Sequence, residues 1–212
     1  MTENKISLPP VATDRPVGEL LGMAAGRAVP VVAAIRDDQL AEPTPCAEYD
    51  VRALVNHLFQ VVVEFRKLAG KGLADFGAQR DFVGAADGGA DWRARFAAAA
   101  DELVAAWSAP GADEGVTGMM DLPAVTVGCM ALTDLVLHAW DLARATGADY
   151  PEGEDIAPVL ATLDAATEQM APMARSAGVF GEPVPVAADA PRLHRLVAAT
   201  GRDPRWQAPG AA

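Results

Sequence analysis

Apolar residues recur at three- and four-residue spacing through most of the chain and almost nowhere alternate with polar ones, which predicts long helices and few strands. Residues 1 to 15 carry prolines and no period and read as a flexible arm. From Val17 to about Leu40 the pattern is helical, with Pro30 placed to kink or split the helix. The connector AEPTPCAEYD ends in Asp50, a good N-cap. Val51, Leu54, Val55, Leu58, Val62 and Phe65 then mark an amphipathic helix over about 51–70.

A glycine-rich stretch from Gly70 to Gly89 leads to the alanine-rich segment DWRARFAAAADELVAAW, a helix of about 91–108 that stops before Pro110. The next helix starts near Pro123 and ends at Gly147, a natural C′ residue. A fifth spans about 154–176, and a short one of about 190–200 lies in the C-terminal part. Long helices and short connectors predict an all-α fold, an up-and-down four-helix bundle. The expected organisation is an arm (1–15), a metal-binding bundle domain (16–178) and a C-terminal extension packing on it (179–212).

Composition narrows the partners. About half of the 212 residues are apolar and 22% are charged, enough for a sizeable core. A formal charge of -12 opposes the phosphate-neutralising surface that nucleic acid needs and disfavours anionic lipid. No run of about 18 uninterrupted apolar residues and no secretory h-region is visible, so a cytoplasmic protein with a small-molecule substrate is expected. Cys46 and Cys129 would then be thiols. A homodimer is the default assembly among soluble oligomers.

The chemistry-bearing residues sit inside apolar runs. In ALTDLVLHAWDLARATG, Asp134, His138 and Asp141 are spaced four and three apart and share one helical stripe. A carboxylate and an imidazole one turn apart can ligate one cation, although the same spacing also serves a plain i,i+4 pair. His57, in DVRALVNHLFQ, falls on the flank of an apolar stripe where it can look into a bundle core. Together His57, Asp134 and His138 would make a three-ligand site with one open position. Asp141 is a candidate for orienting an imidazole or for pairing with Arg52 or Arg144, or else a plain surface carboxylate. Glu64 shares the face of His57 and is a candidate proton acceptor or extra ligand; the alternative is an exposed glutamate beside Arg66 and Lys67. Trp140 reads as core, His194 as surface, and Cys46 as a small cysteine outside the site.

TPCAEYDVRALVNHL followed much later by DLVLHAWDLARATG resembles the bacterial metal-binding proteins of the DinB/YfiT-like superfamily, in particular those similar to the N-terminal domain of mycothiol-dependent maleylpyruvate isomerase. FGEPVPV and TGRDPRW resemble the tail of one branch. The resemblance, which runs from about residue 17 onward, implies a four-helix bundle with a divalent metal, most commonly zinc, with nickel or iron as alternatives. It implies His57 as the ligand from the second helix, and Asp134 with His138 as the carboxylate and histidine of the later one. Aspartate stands where the isomerase has glutamate, and the isomerase's separate C-terminal domain is not present at full size.

The same resemblance implies a cation that activates a low-molecular-weight thiol such as mycothiol for transfer or isomerisation on an electrophilic small molecule. A metal-dependent hydrolase and a non-haem iron oxygenase use related ligand sets and stay open. So does a non-catalytic, stress-linked bundle that needs the ion for stability.

Overall fold

The computed structural model describes residues 9–78, 80–85, 91–150 and 152–209. Its elements follow the periodicity: α1 (Val17–Ala34), α2 (Val51–Ala69), α3 (Trp92–Trp107), α4 (Ala124–Thr146), α5 (Ala157–Ser176) and α6 (Arg192–Ala199). A two-stranded ribbon, β1 (Val116–Thr117) against β2 (Leu122–Pro123), precedes α4. Asp50 caps α2 by accepting from the Ala53 amide at 2.7 Å, and Gly147 closes α4 with φ of 74°. Pro30 lies within α1, which continues to Ala34 without a split; its ring sits on the exposed side.

The architecture is an all-α helical bundle. α1 packs on α3 and α4, and α2 packs on the same two, so α1 and α2 face each other across the core. Contacts fix the directions. The start of α1 meets the end of α3 at Gly18 and Ser108, while Arg93, opening α3, donates to the Ile35 carbonyl at 2.7 Å just beyond the end of α1. Phe59 meets Phe96 and the Phe65 carbonyl accepts from Trp107 Nε1 at 3.1 Å, so α2 and α3 run parallel. His57 meets His138 while Phe65 and Met130 share a cavity, so α2 and α4 are antiparallel. The helices therefore run up, down, down, up. This order requires the 70–91 connector to return along the bundle, about 28 Å for a 19-residue helix at 1.5 Å per residue.

α4 is the central helix and is buried along most of its length. By length and composition α1 and α4 could each cross a membrane, but an apolar circumference is also what a bundle-core helix requires, and α4 is covered by α1, α2 and α5. Asp134 is among the polar residues that keep α4 from being an uninterrupted apolar run.

Beyond Ser176 the chain doubles back. Val184 N donates to the Ala198 carbonyl at 2.9 Å, and Arg144 on α4 donates through Nε to the Trp206 carbonyl at 3.1 Å, which ties the last described segment to the main bundle. At the other end, residues 1–8 of the arm lie outside the described residues. Val11 is buried, and its amide donates to Thr126 Oγ1 at 3.1 Å.

Candidate metal centre

α2 and α4 cross with their polar residues facing. His57 and His138 stand edge to face, ring centroids 4.9 Å apart at 89°. Asp134, one turn before His138, places Oδ1 3.9 Å from His138 Nε2. Two ligands on one tetrahedral zinc stand about 3.3 Å apart at bond lengths near 2.0–2.1 Å, so a small side-chain adjustment would close this pair onto one ion. The structure thus sets His57 against His138 and Asp134 one turn before it, although these three donors are not within 4.8 Å of one another as those of Cys46, His138 and Asp141 are.

These donors fit a cation chemically. Among the described residues, neither His57 nor Asp134 has a hydrogen-bonding partner, apart from the longer Asp134 contact to His138. Burial pulls His57 down to about 4, helped by His138 and Arg202, so its imidazole is neutral at pH 7 and has a lone pair to give. Burial raises the Asp134 carboxyl, and the charges of His138 and Arg202 only partly offset it. Such a carboxylate lacks a neutralising partner of its own, the condition that a bound cation relieves.

Behind the cluster lies a support whose anchoring cation, Arg202, the sequence did not disclose. His138 Nδ1 is 3.2 Å from Asp141 Oδ2, and Asp141 is fully buried. A carboxylate accepts, so Nδ1 donates and Nε2 faces the Asp134 side with its lone pair. Arg202, from the C-terminal extension, places Nε 2.9 and 3.0 Å from the two Asp141 oxygens and donates through Nη1 to Thr200 Oγ1 at 3.1 Å. The expected cations for Asp141 were Arg52 and Arg144; instead Arg52 pairs with Asp81, and Arg144 is spent on the Trp206 carbonyl. Arg202 reaches Asp141 because Gly201 takes φ of 93° and packs so tightly on Gly181 that a Cβ would lie 2.6 Å from Gly181 Cα.

The 43–50 connector forms the other wall. The Thr44 hydroxyl lies 3.0 Å from the Cys46 carbonyl and 2.8 Å from that of Tyr49, and Tyr49 stacks on His57 at 5.4 Å. Cys46, expected outside the site, is half-buried beside it: Cys46, His138 and Asp141 offer one donor atom each within 4.8 Å of one another, a possible metal-binding triad. Burial raises the Cys46 thiol, and a cation there would also face the guanidinium that already occupies Asp141.

Glu64 is not an exposed glutamate. It is fully buried two turns beyond His57, with both oxygens 2.7 Å from Lys67 Nζ and Oε2 accepting from the Asp75 amide at 2.8 Å. Arg66 turns away to Glu102. Trp140 is core, and His194 is half-buried in a separate cleft with Trp140 and Tyr150.

Two recesses open on the cluster. On the His57 side is a polar cleft of about 400 Å³ lined by Tyr49, Asn56, Gln60, Arg80 and Asp81, among others. On the Asp134 side is a smaller, apolar cavity of about 220 Å³.

Helices crossing in this way, with histidines and a carboxylate facing from α2 and α4, define a DinB-like helical protein. The chain belongs to the family described as the mycothiol maleylpyruvate isomerase N-terminal domain, whose pattern matches residues 21–143 and so spans all the helices that build the cluster. An uncharacterized protein of Mycobacterium tuberculosis (strain CDC 1551 / Oshkosh) is 34% identical over 187 residues, covering 82% of this chain and 91% of its own. An uncharacterized protein of strain ATCC 25618 / H37Rv matches to the same extent. No solved structure matches the chain.

Proposed function

We propose that the protein is a divalent-metal-dependent enzyme, zinc being the best fit, that activates a low-molecular-weight thiol of the mycothiol kind for transfer or isomerisation on an electrophilic small molecule. The observation that carries this reading is the convergence of two imidazoles and an otherwise unpartnered carboxylate, His57, His138 and Asp134, with Asp141 and Arg202 fixing His138 from behind.

When bound, a divalent cation on three such ligands lowers the proton affinity of a thiol at its open position, so that the thiol reacts as a nucleophile at neutral pH. The chain's own residues do the rest. Asp141 holds the His138 ring by its Nδ1 proton, and Arg202 keeps Asp141 in place. Tyr49 holds the His57 ring by stacking. The polar cleft beside His57 offers Arg80 and the Gln60 side-chain oxygen to the hydroxyl and amide groups of a polar thiol, the Asn56 amide being engaged with Asp81 and the Val83 amide. Since the reaction draws on a reduced thiol, the cytoplasm is its setting.

Cobalt substitution tests the reading. Adding a low-molecular-weight thiol to the cobalt-loaded protein should produce a thiolate-to-cobalt charge-transfer band that saturates at one thiol per ion and is absent in His57→Ala. A cobalt spectrum indifferent to thiols, with water-dependent ester cleavage instead, would favour the hydrolase.

A further inference from the structure

The cavity on the Asp134 side has a chemistry opposite to that of the cleft by His57. Phe65, Met130, Met170, Met173 and Phe180 supply its walls, and Asp134 stands at its edge. The other polar lining residue among those described, Thr133, donates its hydroxyl to the Cys129 carbonyl at 2.8 Å and has no proton left for a ligand. Among the described residues, no lysine, arginine or histidine lines it. Methionines and phenylalanines make a deformable apolar wall that accepts varied shapes through dispersion but gives nothing to an anion. A carboxylate placed here would desolvate without a partner and lie against Asp134.

We infer that this cavity binds the apolar, uncharged body of the acceptor molecule, and that the protein therefore takes a neutral hydrophobic electrophile rather than a dicarboxylate. In substrate role this rests on the thiol-transfer reading above; as a binding preference it stands on the lining alone. The volume sets the size: about 220 Å³ exceeds the ~150 Å³ apolar cavity that admits benzene, so a single ring with a short substituent, or an alkyl chain of similar bulk, fits. With the polar cleft on the His57 side, the candidate metal centre would then lie between a seat for the polar thiol and a seat for the apolar acceptor.

The test uses toluene and benzoate, which match in ring size and differ in charge, on full-length protein labelled at the methionine methyl groups. Toluene should shift the Met130, Met170 and Met173 methyl resonances saturably and leave Met23, on α1, unmoved; benzoate at the same concentrations should shift none of them. Ala177 lines the cavity but is exposed, so Ala177→Trp should fill the mouth without disturbing the core and weaken toluene binding at least tenfold. Met173→Ala, which enlarges the space, should retain binding. Equal or tighter binding of benzoate, or toluene shifts that survive Ala177→Trp, would overturn the inference. Repeating the titration in His138→Ala separates the two claims: toluene binding should persist there even though the metal ligand is gone.

Discussion

At the scale of single residues, the decisive feature is that His138 is held from both sides. Its Nδ1 proton goes to Asp141, which is anchored by Arg202 from 61 residues away in sequence, while its Nε2 faces Asp134. A partner on the far nitrogen fixes tautomer and ring orientation, so its removal typically lowers metal affinity by roughly 10–100-fold. Asp141→Asn is therefore expected to lower zinc affinity by that factor in competition with a chromogenic chelator while leaving the protein folded; unchanged affinity would show that Asp141 only neutralises Arg202. The two cysteines should separate as clearly. Burial pushes Cys129 up to about 12 and raises Cys46 to a lesser degree, and the thiolate is the species that alkylates. With the Cys46 thiol above the working pH, its labelling should rise about tenfold per pH unit. In native protein at pH 8, iodoacetamide should modify Cys46 slowly and Cys129 not at all, and Cys129 should react only on unfolding. Native labelling of both at similar rates would contradict the burial described here.

At the scale of elements, the bundle depends on close helix approaches at positions with no side chain. Gly18, opening α1, lies so near the end of α3 that a Cβ would come within 2.6 and 2.7 Å of the Ser108 backbone. Backbone cannot step aside as a side-chain tip can, so Gly18→Ala should cost about 1–3 kcal/mol in urea unfolding, the usual range for overpacking. A change within a few tenths of a kcal/mol would mean the α1–α3 contact is looser than described. Helix positions were readable from the sequence because each of the long helices has to bury an apolar stripe, and that requirement imprints a 3.6-residue period. Helix order around the core was not. Nothing in the period of α2 or α3 says that they run parallel; that follows from a 70–91 connector long enough to retrace the bundle. The β1–β2 ribbon, two residues a side, is too short to leave an alternating pattern.

At the scale of the whole molecule, the candidate site joins three separate parts of the chain: the connector and start of α2, the second half of α4, and the C-terminal extension. His57, Asp134 and His138 were legible because they interrupt periodic apolar faces, where a polar residue needs a reason. Cys46, Tyr49 and Arg202 were not, since all three lie in stretches without period and their spacing to α4 is set by tertiary folding alone. Glu64 illustrates the converse. Its sequence neighbours suggested a wet surface, yet Lys67 and the Asp75 amide satisfy it in the interior and pin the start of the connector to α2. The extension also explains why the tail motif TGRDPRW bears on the site, because Gly201 sets the turn that delivers Arg202 to Asp141.

The central claim, that His57, Asp134 and His138 hold a divalent cation, is tested most directly by elemental mass spectrometry on untagged protein. About one zinc, nickel or iron per chain is expected in the wild type, lost in His57→Ala and in His138→Ala and kept in Cys46→Ser. Metal that persists in His57→Ala but disappears in Cys46→Ser would move the ion to the Cys46, His138 and Asp141 triad, and a wild type that takes up no metal on reconstitution would contradict the account altogether.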